Sequence, residues 1–401
     1  MKRYLLGFAA LVLLASSSCG GQSPTTAADP TTVQTSGGTP SAIPGNLPAQ
    51  VAFTDSGQRL GSAQSWDIAL GDLDQDGDLD AFVANAIQGG IKNMVWLNDG
   101  QGSFKKGQQD LGYGQSVALA DLDGDSDLDA LVTNWWGEES SQAWFNDGTG
   151  RFTEGGQDLG SAFRSALGDL NGDGARDVIM ARMGANSVWL NDGSGLFADT
   201  AKRLGTAITA AIALGDLDGD GDLDALAGGW EEPAKVWLND GAAMLSQHEQ
   251  QLCPASVHIH GLALGDVDGD VDLDVFMAVA SGDPNQVWLN DGSGGFSNSG
   301  QELRSSLAQG VALGDLDGDG DLDAVTAHGT MSGSSGGRFW LNNGEGYFTA
   351  GGLRMGNLPA TTVALGDLDG DGDLDVFVAH GETWQESGGG IPNEVWLNEL
   401  L

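Results

Sequence analysis

The sequence predicts an all-β fold, a closed ring of seven units that are each a four-stranded antiparallel sheet, on three observations. A nine-residue acidic string, Asp72-Leu-Asp-Gln-Asp-Gly-Asp-Leu-Asp80 in its first copy, recurs from Asp121, Asp169, Asp216, Asp266, Asp315 and Asp367, at intervals of 49, 48, 47, 50, 49 and 52 residues. A second string, Trp96-Leu-Asn-Asp-Gly100, follows each copy, its Trp recurring at Trp144, Trp189, Trp237, Trp288, Trp340 and Trp396. Each unit also holds four short strand signals and no run of helical periodicity. Four strands in a period near 50 residues describe one blade of a seven-bladed β-propeller.

The strands follow in order. The first, Val363-Ala-Leu-Gly366 in the last unit, is small and Gly-rich, as suits the crowded position beside the axis. The second is Val376-Phe-Val-Ala379 and the third Glu394-Val-Trp-Leu397. The fourth, typified by Gly295-Phe-Ser297, is reached through an Asn-Asp-Gly turn, whose residues tolerate positive φ. The repeating body opens at Val51-Ala-Phe-Thr54, which aligns with a fourth strand, and ends at Trp396-Leu-Asn398, which aligns with a third. The N-terminal strand is therefore expected to complete the last blade and close the ring without an exposed edge. A calcium β-helix would repeat about every nine residues, and an open solenoid would carry atypical end units.

Three segments are expected: a signal peptide over 1–18, a flexible tether over 19–50 and the propeller over 51–401. Met1-Lys2-Arg3, the apolar run from Tyr4 to Ala15 and the small residues Ser16 to Ser18 have signal-peptide architecture. Together with Cys19-Gly-Gly-Gln they resemble a bacterial lipoprotein signal, although Ser16 stands where Leu is usual. That resemblance implies lipid on Cys19 and a secreted protein anchored at the cell surface or outer membrane, touching the membrane through that anchor alone. Residues 20 to 50 are rich in Gly, Ser, Thr and Pro and read as a tether. Cys19 and Cys253 are the only cysteines, so no disulfide framework stabilises the body.

Lys+Arg number 16 against 57 Asp+Glu, a net charge of −41. Such a surface repels phosphate backbones and argues against nucleic acid as a partner. Of the 57 acids, 33 lie in the repeated loops. Asp at positions 1, 3, 5 and 9, with Gly at 6 for the sharp turn, is a hard-oxygen cage for Ca²⁺. The loop sits between strands, since position 12 of the first copy, Val83, falls within one. The candidate ligands are Asp72, Asp74, Asp76, Asp78 and Asp80; Asp121, Asp123, Asp125, Asp127 and Asp129; Asp169, Asn171, Asp173 and Asp177; Asp216, Asp218, Asp220, Asp222 and Asp224; Asp266, Asp268, Asp270, Asp272 and Asp274; Asp315, Asp317, Asp319, Asp321 and Asp323; and Asp367, Asp369, Asp371, Asp373 and Asp375. Up to seven Ca²⁺ are expected, position 7 giving its backbone carbonyl. Ser126 and Val271 replace Gly at position 6, and loop 5, with Val271, is expected to bind most weakly or to turn differently.

These loops, set between strands with Trp-Leu-Asn-Asp-Gly beyond, resemble FG-GAP (VCBS-type) repeats, which are similar to the propeller of integrin α chains. The resemblance covers 51–401. It implies structural calcium loops on a lower face and ligands on an upper face made of the 2–3 loops and the links between blades. Five Trp lie outside the repeated motif: Trp66, Trp135, Trp136, Trp230 and Trp384, all in those upper segments. His258, His260, His328 and His380 lie there too. The residue five beyond each loop's last Asp (Asn85, Asn134, Arg182, Gly229, Val279, His328 and His380) is expected to ring the upper mouth of the axial channel. Trp66, Trp135, Trp136, Trp230, Trp384, His328, His380 and Arg182 are the candidate ligand-binding residues.

Catalytic motifs are sparse. Gly333-Ser-Ser-Gly-Gly337 matches G-x-S-x-G in form, but in a low-complexity loop between strands rather than before a helix. The reading is a monomeric, calcium-stabilised binding or adhesion module for a glycan or protein ligand. The alternatives are a polysaccharide-active enzyme of lyase or glycosidase type, using Glu138, Glu139, Glu231, Glu232, Glu382 or Glu386, and a structural surface scaffold.

Overall fold

The computed structural model of the chain describes residues 51–400 apart from 86–89, 136–139, 231, 255, 306, 330–335 and 382–389. The fold is all-β: 28 strands form seven four-stranded antiparallel sheets, with no helix among the described residues. Blade 1 comprises β2 (Ser65–Gly71), β3 (Asp80–Asn85), β4 (Met94–Leu97) and β5 (Lys105–Lys106). Blades 2 to 6 repeat that order, from β6 (Ser116–Ala120) to β25 (Thr349–Met355). Blade 7 consists of β26 (Thr362–Gly366), β27 (Asp375–Ala379), β28 (Glu394–Asn398) and, as its outer strand, β1 (Phe53–Asp55). Phe53 faces Asn398 and Asp55 faces Trp396 across that last pairing, so the N-terminal strand does complete the final blade. First strands adjoin around the axis, and β26 returns to β2.

Close approach of neighbouring blades explains the small first strand. A Cβ added at Gly71 would lie 2.6 Å from Leu128 Cδ1 of the next blade, and Gly168, Gly215, Gly265, Gly314 and Gly366 meet Leu223, Leu273, Leu322, Leu374 and Leu79 in the same way. The one exception is Ala120, and the blade it faces carries Arg176 where the other loops carry that Leu. Losing the Leu leaves room for the methyl group.

The core lies between blades rather than within them. Leu73, Phe82 and Val95 of blade 1 pack with Leu119, Val132, Trp144 and Phe152 of blade 2. Four motif indoles (Trp96, Trp144, Trp237 and Trp340) are buried in such layers. Polar side chains tie the same seams. The motif Asn of each blade donates through Nδ2 to a loop carbonyl of the blade before it: Asn146 to Leu73 O at 2.8 Å, and Asn98 to Leu368 O at 2.8 Å across the closure. Gln109 accepts from Phe152 N at 2.8 Å and donates to Phe152 O at 3.1 Å. Gln58, Gln157, Gln250 and Gln301 clamp the following blade's hairpin alike.

Candidate functional site

The acidic loops join strands 1 and 2 of every blade, so all lie at one end of the ring. The position-9 Asp is the buried anchor: Asp80, Asp129, Asp177, Asp224, Asp274, Asp323 and Asp375 are wholly covered. Asp80 accepts from Leu73 N at 3.0 Å and from Asn98 N at 2.8 Å, which locks the loop to the third strand. Burial outweighs these bonds and pushes the carboxyl up to about 6 in Asp80, Asp129, Asp177, Asp224 and Asp274. In Asp323 and Asp375 it rises to about 7. Position 1 takes up the turn's own amides, as where Gly124 N and Ser126 N donate to the two oxygens of Asp121 at 2.7 and 3.1 Å. The position-5 carboxylate accepts from the position-7 amide, Asp78 N to Asp76 Oδ1 at 3.1 Å.

Carboxylate oxygens from positions 1, 3 and 9 converge within 4.8 Å of one another in Asp72/Asp74/Asp80, Asp121/Asp123/Asp129, Asp216/Asp218/Asp224, Asp266/Asp268/Asp274 and Asp315/Asp317/Asp323. Asp72 Oδ1, Asp74 Oδ1, Asp218 Oδ1, Asp268 Oδ1 and Asp369 Oδ1 are buried with no hydrogen-bond partner among the described residues. Burial and the charge of the position-5 neighbour push the position-3 carboxyls up at Asp74, Asp123, Asp218, Asp268, Asp317 and Asp369. Converging, unpartnered carboxylate oxygens repel one another in the absence of a cation, and a metal ion fits them. The position-7 side chain turns elsewhere, against the third-to-fourth-strand turn: a Cβ on Gly100 would lie 2.5 Å from Asp78 Oδ2, and Asp127, Asp222, Asp272 and Asp321 lie against Gly148, Gly241, Gly292 and Gly344. Asp373 accepts from Leu400 N at 2.9 Å.

Three loops depart from the pattern, and in loop 2 Ser126 takes the glycine position with φ 78°. In loop 3, Asn171 Nδ2 donates to Asp173 Oδ2 at 2.9 Å, so the neutral residue satisfies its acidic neighbour within the loop. In loop 5, Val271 holds φ 82° yet donates to Asp266 Oδ2 at 3.0 Å, the bond that Ser126 makes in loop 2 and glycine makes in the rest. The loop therefore does not turn differently; the hydrogen bond holds a β-branched residue in the left-handed region. Val271→Gly is expected to raise stability by about 1 kcal/mol, because left-handed strain of ~1–2 kcal/mol exceeds the added flexibility of glycine in the unfolded chain. Thermal denaturation checks this, and a lowered midpoint would refute it.

At the other end of the ring, β-bulges shape the axial mouth. The register of strand 1 slips between Ser65 and Asp67, Thr209 and Ala211, Ile259 and Gly261, and Ala308 and Gly310. The residue left over in each bulge, and its counterpart in the other blades, forms a buried ring: Trp66, Gln115, Phe163, Ala210, His260, Gln309 and Thr361. Bulges commonly re-aim side chains at functional sites. Half-buried Trp135 stacks on Phe163 with ring centres 4.2 Å apart, Trp230 meets the other edge of Phe163 at 5.8 Å, and Trp66 joins the same cluster. Trp230 Nε1 donates to His260 Nε2 at 3.0 Å, which leaves His260 Nδ1 to donate to Gln309 Oε1 at 3.0 Å. One level below, Arg164 Nη1 pairs with Asp67 Oδ2 at 2.6 Å, both buried. Arg164 Nε and Nη2 and Asp67 Oδ1 are buried without a hydrogen-bond partner among the described residues.

The predicted rim of Asn85, Asn134, Arg182, Gly229, Val279, His328 and His380 is a correction. These residues sit at or just past the end of strand 2, the second strand from the axis, and the bulge residues of strand 1 stand in front of them. All but half-buried Arg182 are buried. Arg182 donates to Leu159 O at 2.7 Å and to Ser187 Oγ at 2.8 Å as a brace between blades. His328 bonds Thr326 Oγ1 at 2.9 Å. His380 bonds Pro359 O at 2.8 Å and lies 3.4 Å from Glu394. Trp136, Trp384, Cys19, Glu138, Glu139, Glu231, Glu382 and Glu386 lie outside the described residues. Sequence reasoning missed Gln115, Phe163, Ala210, Gln309 and Thr361. Their signal is positional: each stands six residues before its loop's first Asp, where the repeats stop resembling one another.

No curated protein matches the chain. Among solved structures, BBS1N in complex with ARL6DN, soaked with mercury, superposes with a TM-score of 0.56 at 13% identity, covering 87% of this chain and 97% of that one. An Agrocybe aegerita lectin, described as specifically recognising non-reducing terminal N-acetylglucosamine, gives a TM-score of 0.49 at 20% identity, over 74% of this chain and 81% of that one. A family model for the FG-GAP-like repeat matches residues 72–132, 169–227, 216–277, 266–326 and 315–378, more than half of the chain. The chain belongs to the FG-GAP-like repeat family.

Proposed function

We propose that this protein is a calcium-loaded extracellular binding module that takes its ligand at the axial mouth opposite the acidic loops. One observation carries the reading: Trp66, Trp135, Phe163 and Trp230, from four successive blades, form one aromatic patch at the level where the repeats diverge. Indole faces offer apolar area with a polar edge, and polar groups lie at the same level, each held by the fold: Gln115 Oε1 accepts from Trp135 N at 3.0 Å, Gln309 Oε1 from His260 at 3.0 Å, and Thr361 Oγ1 donates to Ser65 O at 2.8 Å. That mixture suits a glycan. His260 has both ring nitrogens engaged and uncharged, which favours retention of a ligand over turnover. The cations are Ca²⁺, one per loop and up to seven, and the module is a monomer tethered by lipid on Cys19 at the cell surface or outer membrane.

A glycan array probed with the full chain, in calcium and in chelator, tests this. Calcium-dependent retention of one sugar class is expected, and Trp135→Ala or Trp230→Ala should weaken it tenfold or more, about 1.4 kcal/mol, with the fold intact. Retention of a protein partner alone would replace the glycan, and turnover of a polysaccharide would overturn the binding module. Labelled palmitate should be incorporated and should be lost in Cys19→Ser.

A further inference from the structure

A groove of about 430 Å³ runs along the outside of the ring, between the outer strand of blade 1 and the third-to-fourth-strand turn of blade 2. Lys105 and Lys106 line one wall, Arg151 the other, and Val95, Leu97 and Leu111 also line it. All three cations are exposed, and none enters an ion pair among the described residues. Asp147, four residues before Arg151, has its carboxylate engaged by the Thr149 hydroxyl at 2.5 Å.

The repeats show that the fold does not require these charges. Where blade 1 has Lys105-Lys106, the other blades have Thr153-Glu154, Ala198-Asp199, Ser246-Gln247, Ser297-Asn298, Thr349-Ala350 and Thr54-Asp55. Where blade 2 has Arg151, just before the Phe or Leu that opens the outer strand, the other blades have Ser103, Leu196, Met244, Gly295, Tyr347 and Ala52. Two departures about 45 residues apart, both to positive charge, therefore meet across one recess in a molecule of net charge −41. The recess is pre-formed, because Gln109 clamps Phe152 by both its N–H and its carbonyl across the same seam.

We propose that this groove binds an acidic oligosaccharide, one bearing carboxylate or sulfate groups, at a site separate from the axial mouth. Its volume lies in the ~300–1,000 Å³ range of small-ligand sites. Arg151 offers a planar fork for a carboxylate or sulfate, and the two Lys supply mobile point charges. The two-residue strand β5 is too short an edge to template an extended peptide, which favours the saccharide. Acids do approach the groove, with Asp74 beside Gly150 and the Asp147 carboxyl lowered by the Thr149 hydroxyl and by the Arg151 charge, so the attraction rests on the three cations that converge on one recess.

The test is titration of the full chain, in calcium and about 0.15 M salt, with short fragments of polygalacturonate, heparin, neutral dextran and polyglutamate. At least one acidic saccharide should bind, which separates carboxylate from sulfate recognition, and dextran should not bind in this groove. The triple variant Lys105→Ser, Lys106→Gln and Arg151→Ser uses residues that other blades carry at these positions. It should keep its melting temperature and lose binding at least tenfold, whereas Lys105→Arg with Lys106→Arg should retain it. Acidic saccharides that fail to bind, or that bind the triple variant equally well, would overturn the proposal. So would tighter binding of polyglutamate than of either acidic saccharide, which would make the groove a peptide dock.

Discussion

Removal of calcium is expected to lower the melting temperature by more than about ten degrees at neutral pH. Each occupied loop contributes ~2.7 kcal/mol when the ion stands at a hundredfold excess over its Kd, and up to seven loops release their ions on unfolding. The size of the drop depends on pH in a defined direction. The position-9 carboxyls of the metal-free fold lie at about 6 to 7, against an ordinary value near 3.8. Between those values the folded chain holds more protons than the unfolded chain. Stability without metal is therefore greatest below the unfolded value and falls as pH rises through the folded values. The cation binds the ionised form and removes that penalty. Calorimetry with and without chelator should show the largest difference above pH 7 and a shrinking one towards pH 4. Equal midpoints with and without chelator at pH 7.5 would end the structural role of the ion.

Deletion of residues 51–60 should be nearly as damaging, because it removes the only outer strand that blade 7 has. Val51 and Leu60 are buried and Phe53 packs edge-on to Phe339 at 5.7 Å, so three apolar side chains worth ~1.5–3 kcal/mol each are lost. Backbone bonds from Ser56 N to Val395 O at 3.0 Å and between Leu60 and Asn393 go with them. The Gln58 clamp on blade 1 also goes. The bared edge of β28 then invites pairing with a second copy. Chemical denaturation should show a loss of several kcal/mol, and sedimentation should reveal association; an equally stable, monomeric truncation would contradict the closure.

Much of this was legible in the sequence because repetition makes local rules visible. Seven copies of one loop and one turn fixed the blade count, and the fourth-strand character of Val51 to Thr54 located the closure. The Gln clamps were legible in principle, since Gln58, Gln109, Gln157, Gln250 and Gln301 each stand 40 to 47 residues before a hairpin Phe, but no local rule assigns a lone Gln a partner in the next blade. The error over His328 and His380 had a specific cause. Counting from the loop places a residue along its strand but does not say which strand lies nearer the axis at that height.

The sequence alone determined the periodic features of this protein: all-β blades, acidic cages, motif tryptophans as packing and a ring closed by its N-terminal strand. These follow from short-range patterns that each blade repeats. Only the tertiary structure decided which side chains share a site. The aromatic patch of Trp66, Trp135, Phe163 and Trp230 and the cationic groove of Lys105, Lys106 and Arg151 are each assembled across blades. Their members are neighbours because adjacent blades pack side by side around the axis, and in four blades a bulge sets one residue of strand 1 at the mouth.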